Sequence, residues 1–520
     1  MAGFPSPDFD EQARRLLEDF QIGNFIYFSR NMQSAAQVSA LSQTLSRHVF
    51  DKLGIAPLIA ADQEGGMVSR ITEGAALIPS AAAVAAAVGG SAEGGSAEEN
   101  PVRQLGRNLG EILRAMGVNM NLAPVMDLNM DPANPIIGCR SYGDNPKKAA
   151  ALGISMMQGL VDGGVLPVLK HFPGHGNVSS DSHLGIPVNH QSRERLEATE
   201  WAAFQKGIQA GAPAILTAHV RYEQVDAENP ATLSPAIVTG LLRQQWGFDG
   251  LVLTDCMEMD AVRASCGTGE GAVRAIEAGA DMVTISHTYE AVQEAVLAIY
   301  AALESGRLSP ERVEISYQRI QRCKEKLGLF TPQAVDAEQA EKVLLQPAKL
   351  ILNREMAADS ITLLSGESVQ LSEQKPDFLV IAPDSMAATG VEDSKPISLA
   401  DRAAARFGCL AAKMPLDGDA AQATTMLDSA VKMGFKTVVL GLFNARMRPG
   451  QQEVLRKIEE MPGVRLIVAL LGAPYDASLV HRADAVIAAY DYTALGVEAL
   501  LDALASGRYA GHCPFQLTKL

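Results

Sequence analysis

Short apolar runs alternate with longer stretches of helical periodicity from residue 22 to about residue 330. The runs at 22–28, 56–61, 120–126, 165–171, 214–219, 251–254 and 282–285 have the length and β-branched content of buried strands. Between them, apolar positions recur at helical spacing over 34–52, 101–116, 149–162, 193–210, 235–245 and 270–278. This alternation implies βαβ units and a parallel sheet, and seven repeats predict a TIM-like (β/α)8 barrel with one irregular strand. After a helical pattern at 309–327 and a polar connection, a second alternation begins, with strands expected at 361–364, 378–381, 437–442, 466–471 and 485–489. It predicts a smaller doubly wound α/β sandwich. The expected division is a barrel over 1–335, a linker over 336–356 and a C-terminal α/β/α sandwich domain over 357–520. The tract 81–99 is of low complexity; its alanine half suits a short helix, and its Gly/Ser half a mobile surface loop without function.

Composition changes this picture in a few respects. At 520 residues, with 47% hydrophobic and 20% charged positions, the chain has the make-up of a two-domain globular protein. A net charge of −16 argues against a nucleic-acid partner, because phosphate binding relies on clustered Lys and Arg. Six scattered cysteines without CxxC spacing read as free thiols in a reducing compartment. No apolar run reaches membrane-spanning length, and the start MAGFPSPDFDEQARR lacks the pattern of a secretory signal, so a cytoplasmic location is expected. The second alternation contains no GxGxxG or phosphate-loop pattern, which leaves nucleotide binding without support.

Ionisable residues close several of the apolar runs: Asp62, Asp127, Lys170 with His171, His219 and Asp255. A charge ending a buried strand is costly unless it faces a polar cavity or a partner. Catalytic groups of α/β proteins collect at the carboxyl ends of parallel strands, so an active site is expected there. Each residue also has a structural reading. Asp127, followed by LNMDPANP, suits a loop cap, His219 reads equally as a satisfied core histidine, and Asp281 reads as a packing or turn residue. The segment KHFPGHGNVSSDSH (170–183) adds the triplet Asp181-Ser182-His183. In an extended loop, residues two apart point the same way, so Asp181 would hold one imidazole nitrogen of His183 while the other faces a substrate. That is an oriented proton donor of raised pKa.

Together these blocks resemble the β-N-acetylglucosaminidases of glycoside hydrolase family 3. The blocks are DQEGGMVSR (62–70), NLAPVMDL (121–128), NPIIGCRSYG (134–143), KHFPGHG with DSH (170–183) and FDGLVLTDCMEM (248–259), in the family's order. The resemblance implies a retaining exo-glycosidase with Asp255 as nucleophile, His183 as acid/base and Asp181 orienting it. It also implies that Asp62, Arg70, Arg140, Lys170 and His171 bind the sugar. Cys256, standing where the family's glucosidases and xylosidases typically carry Trp, favours the N-acetylhexosamine branch. No cofactor or metal is expected; the expected partner is a small carbohydrate, from peptidoglycan or chitin fragments, and the chain is expected to act as a monomer or homodimer. Phosphorolysis is an alternative, because an imidazole base does not repel phosphate as a carboxylate would. A different family 3 β-glycosidase and a metal-dependent amidohydrolase built on Lys170, His171, His219 and Asp255 are further alternatives. The amidohydrolase reading lacks the HxH pattern that such metal sites open with. Substrate-assisted chemistry would rest on the remote pair Asp62 and Glu64, and a binding protein without turnover is opposed by the presence of Asp255, His183 and Asp181 together.

Overall fold

The computed structural model describes residues 1–89, 100–178, 185–331, 334–374, 376–385, 397–417 and 421–517. Seven parallel strand positions form a ring: Asn24–Tyr27, Leu58–Ala61, Met120–Asn121, Leu166–Pro167 continued by Leu169–Phe172, Ala214–Thr217, Leu251–Cys256 and Met282–Thr284. The ring closes through Ala2, which bridges both Phe25 and Ile285. Ala2 also accepts from the Ile26 N–H at 3.0 Å, while Gly3 N–H donates to Ile285 at 3.0 Å. The N-terminal residues thus stand where an eighth strand would, and the expected barrel is present as a TIM-like barrel with that one irregular position.

Strand parity explains why these runs are apolar throughout. Ile26, Leu58, Ala60, Met120, Leu166, Val168, Ala214, Leu216, Leu251, Leu253 and Met282 fill the barrel interior. Their neighbours Phe25, Tyr27, Ile59, Ala61, Ile215 and Val252 point outward against the helices. Each strand is covered on both faces, as a parallel barrel requires. The expected strand at 120–126 stops at Asn121, short of Pro124, which has no N–H for the ladder. The expected helix 193–210 breaks at Thr199 into Arg193–Ala198 and Glu200–Gln209.

The second sheet has six strands in the order Thr362–Gly366, Ala485–Ala488, Arg465–Leu470, Thr437–Leu442, Phe378–Pro383, Leu410–Met414, parallel except for the first. Helices Ala421–Lys432 and Pro449–Glu459 bury residues on one face. Leu399–Phe407 and Ala494–Ser506 cover the other, giving the α/β/α sandwich. Leu410–Met414 was not foreseen: it is an edge strand, and its Lys413 is exposed.

The alanine half of the low-complexity tract forms the expected short helix and bridges two cores, and the expected linker is helical. In the low-complexity tract, Ser80 caps the helix Ala81–Ala87. Its Ala82, Ala83 and Ala86 pack into the sandwich while Val84 and Ala85 pack on the barrel. Residues 90–99 lie outside the described residues. The segment 336–356, expected as a linker, is taken up by helices Ala337–Leu344 and Pro347–Ser360. Ala340, Val343, Leu344 and Met356 join the core outside the barrel strands. The Asn353 amide donates to the carbonyls of Ala75 and Leu77, both at 3.0 Å. All six cysteines are free. No helix among the described residues is long and apolar enough to cross a membrane.

Candidate active site

The parity that fills the barrel interior continues past the strand ends. Counting by twos from Ala60, Val168 and Leu253 reaches Asp62, Lys170 and Asp255, all of which line one pocket of about 280 Å³ at the carboxyl end of the ring. Counting from Ala214 and Leu216 passes over His219, which is absent from that lining. His219 is buried instead, with Nδ1 2.9 Å from the Thr232 hydroxyl and Nε2 3.0 Å from the Cys256 carbonyl. It is a satisfied core histidine that fastens the backbone next to Asp255.

Five charged groups form a buried ladder across the pocket. The Lys170 ammonium lies 2.6 Å from both Asp62 and Glu64. Arg70 pairs with the other Asp62 oxygen at 3.1 Å, and Arg140 grips Glu64 with two hydrogen bonds of 2.8 Å. Burial would raise both carboxyls, but the cations prevail. Glu64 is brought down to about 2 by Arg140 and Lys170, and Asp62 is held well below the usual carboxylate range by Lys170 and Arg70. Both carboxylates therefore stay ionised at neutral pH, set among Lys170, Arg70 and Arg140. Arg70 reaches back over Asp62 because the chain turns at Gly65 and Gly66, whose φ values of 105° and 57° disfavour side chains. A Cβ on Gly65 would also come within 2.6 Å of the Pro79 carbonyl oxygen.

His171 reaches the pocket although its parity is outward; the ladder to the neighbouring strand shifts register between Leu169 and Phe172, which re-aims the side chain. Asp127 holds it. Its carboxylate lies 2.6 Å from His171 Nδ1 and accepts the backbone N–H groups of His171 and of His175, the latter at 2.7 Å. The other ring nitrogen of His171, Nε2, lies 3.4 Å from the Arg140 guanidinium. Asp127 thus combines a loop cap with the orientation of a pocket residue, and being fully buried it does not line the pocket.

Glu64, weighed from sequence only for a substrate-assisted route, and His175, Arg30 and His287, which had no role from sequence, also belong to the site. Glu64 sits in a short hairpin after Asp62, so no apolar run pointed to it. Burial and the nearby His171 push the His175 imidazole down to about 4, keeping it neutral. Arg30 and His287 come from the two strand ends flanking Ala2, with Arg30 against the Phe28 ring. Burial pushes the Cys256 thiol up to about 12. Cys256, Glu258 and His287 bring metal-ligating atoms within 4.8 Å of one another. The Glu258 carboxylate, however, accepts the backbone N–H groups of Ser286, His287 and Thr288 and the Thr288 hydroxyl, which anchors that loop. Asp281 is a structural residue away from the pocket: it pairs with Arg243 and Arg319 and accepts the Val252 N–H.

Of the sequence-selected residues, Asp62, Arg70, Arg140, Lys170, His171 and Asp255 converge on the pocket. Asp255 sits near the end of Leu251–Cys256, and one of its oxygens accepts the Cys256 N–H at 2.7 Å. Asp181 and His183 lie outside the described residues.

Comparison with known proteins gives a consistent result. Residues 3–323 match the glycosyl hydrolase family 3 N-terminal domain. The chain is 28% identical to beta-hexosaminidase A of Pseudoalteromonas piscicida over 92% of its own length and 84% of that protein. It is 36% identical to a beta-hexosaminidase of Neisseria meningitidis, over 55% of this chain and 76% of the relative. Among solved structures, a family 3 beta-N-acetylglucosaminidase from a Paenibacillus species superposes with a TM-score of 0.92 at 35% identity, covering 100% of this chain and 97% of that one.

Proposed function

The chain belongs to glycosyl hydrolase family 3, and from that premise we propose that it is an exo-acting β-N-acetylglucosaminidase releasing terminal β-linked GlcNAc. The observation that carries this reading is Asp255 at the end of a packed strand, sharing one pocket with a buried ion-pair ladder of Asp62, Lys170, Glu64 and two arginines.

In this reading Asp255 attacks the anomeric carbon from its packed strand end, forming a glycosyl-aspartate that water then hydrolyses. Asp62, Lys170, Arg70, Arg140 and His171 present acceptors and donors in fixed positions for sugar hydroxyls, so little rearrangement is needed as the transition state forms. His183, oriented by Asp181, protonates the leaving oxygen and later activates the water. The division into a catalytic barrel over 1–335, a helical connection and a second domain over 357–520 belongs to the same reading. So do a cytoplasmic setting and substrates drawn from cell-wall or chitin fragments.

The test is turnover of 4-nitrophenyl β-N-acetylglucosaminide beside the matching glucoside and xyloside, with and without phosphate. The acetamido sugar is expected to be preferred and phosphate to make no difference; a sugar phosphate as product would reassign the enzyme as a phosphorylase. Asp255→Ala is expected to lose turnover while keeping its melting temperature, and a trapped sugar is expected on the Asp255 peptide. His183→Ala is expected to slow chitobiose far more than the aryl glycoside, whose leaving group needs no proton. Equal losses on both would remove His183 from the acid role.

A further inference from the structure

The corner of the pocket beside Asp255 holds side chains for which the glycosidase mechanism has no use. Among the described residues, only Cys256, Glu258 and His287 form a group of three whose metal-ligating atoms all lie within 4.8 Å of one another. They come from two neighbouring strand ends: Leu251–Cys256 runs on to Glu258, and Met282–Thr284 runs on to Ser286 and His287. Cys256 is in register with Thr284, and Cys256, Thr284, Ser286 and His287 all line the pocket.

The carboxylate is already set for an ion. Glu258 Oε2 accepts the N–H groups of Ser286 at 2.8 Å and His287 at 2.6 Å, while Oε1 accepts the N–H and the hydroxyl of Thr288. These bonds fix the group with Oε2 3.8 Å from the Cys256 sulfur. Carboxylates that ligate metals are held by hydrogen bonds in this way. A tetrahedral zinc ion, with bonds of about 2.0–2.3 Å, keeps its ligand atoms about 3.5 Å apart, so sulfur and oxygen are nearly at that spacing. The His287 ring is exposed and has little distance to close; it lies against Phe28, with ring centroids 5.2 Å apart, and its Nδ1 is 3.3 Å from the Arg30 guanidinium.

Two buried hydroxyls occupy the same corner. Thr284 Oγ1 has no hydrogen-bond partner, and the Ser286 hydroxyl faces the Cys256 thiol without another. A water carried on a bound ion supplies what such groups lack. Sulfur, imidazole and a single carboxylate select ions of the zinc type over magnesium or calcium, which take oxygen ligands. A thiolate and a carboxylate also balance a divalent charge, so occupancy adds no net charge beside Arg30.

We propose that Cys256, Glu258 and His287 form a binding site for a divalent transition-metal ion of the zinc type at the edge of the sugar pocket. On binding, the Cys256 S–H bond gives way to a sulfur–metal bond and the proton passes to solvent, leaving a fourth position for water. The ion inhibits rather than catalyses. It lies one residue from Asp255, whose oxygen accepts the Cys256 N–H at 2.7 Å, and a cation there engages the carboxylate that attacks the sugar. That consequence rests on the glycosidase reading; the binding itself does not.

Cobalt(II) is the probe, because a thiolate ligand gives it a near-ultraviolet charge-transfer band that oxygen and nitrogen ligands do not. Titration of the reduced full chain is expected to show this band, saturating at one ion per chain and displaced by zinc but not by magnesium. The band is expected to vanish in Cys256→Ser and to need at least about tenfold more cobalt in His287→Ala, with melting temperatures confirming that both variants fold. No thiolate band in wild type, or the same band in Cys256→Ser, overturns the site. Zinc inhibition of 4-nitrophenyl β-N-acetylglucosaminide turnover, scaled to each protein's metal-free rate, is expected to require about tenfold more zinc in His287→Ala; equal inhibition of both overturns the inhibitory role. Cobalt binding is read without substrate, so a chain that takes the ion but turns over no sugar keeps the site while the glycosidase reading falls.

Discussion

At the scale of single residues the pocket is governed by one shared ammonium. Lys170 holds Asp62 and Glu64 at the same distance of 2.6 Å, so each carboxylate depends on a cation the other also uses. Removing one member of a buried ion network leaves its partners with unbalanced charge, which typically costs 3–5 kcal/mol. Glu64→Gln is therefore expected to lower stability by about 3 kcal/mol and to weaken sugar binding by freeing Lys170 and Arg140 to move. Thermal denaturation and KM for the aryl glycoside measure the two effects, and a variant matching wild type in both would show that the ladder is not cooperative. Asp62 was legible as a sugar-binding candidate because it ends an apolar run; Glu64 was legible only for a substrate-assisted route, because its place in the ladder depends on Arg140, 76 residues away. His219 shows the opposite case. It ends an apolar run as Asp62 does, but its parity turns it away from the pocket.

At the scale of elements, the loop carrying Gly174 to Val178 rests on the helix Glu200–Gln209. A Cβ on Gly174 would lie 2.6 Å from the Glu200 Cβ, and the Gly174 carbonyl accepts the Tyr222 hydroxyl. Burial pushes the Glu200 carboxyl up to about 7. The folded protein thus binds this proton more tightly than the unfolded chain. The resulting stability is fully present below the unfolded value near 4.5 and is lost as pH rises toward 7. The loss amounts to about 3 kcal/mol over that window. Melting temperatures between pH 4.5 and 7 are expected to fall more steeply in wild type than in Glu200→Gln; identical slopes would mean that Glu200 does not titrate there. Helix periodicity announced this region as one continuous helix, and the break at Thr199 that sets the position of Glu200 has no signature in the pattern of apolar positions.

At the scale of the whole molecule, the barrel and the sandwich share structure. The helix Ala81–Ala87 gives alanines to both cores, the helices over 337–360 pack on the barrel, and the Tyr475 hydroxyl donates to the Asn129 carbonyl at 2.7 Å. Truncation after residue 335 is expected to lower the melting temperature or cause aggregation, because it exposes Ala82, Ala83 and Ala86 and leaves Ala75 and Leu77 without the Asn353 amide. A truncated barrel melting with the full chain would show that this packing contributes nothing. By itself the sequence determined the alternation of strands and helices, the two-part fold, and the residues that end inward-facing strand positions. Those features follow from local periodicity and from the cost of burying charge. Only the tertiary structure decided that Glu64 completes the ladder, that Asp127 aims His171, that the alanine tract joins two cores, and that Cys256, Glu258 and His287 meet beside the pocket. Each of these depends on which distant side chains meet, and periodicity along one chain carries no record of that.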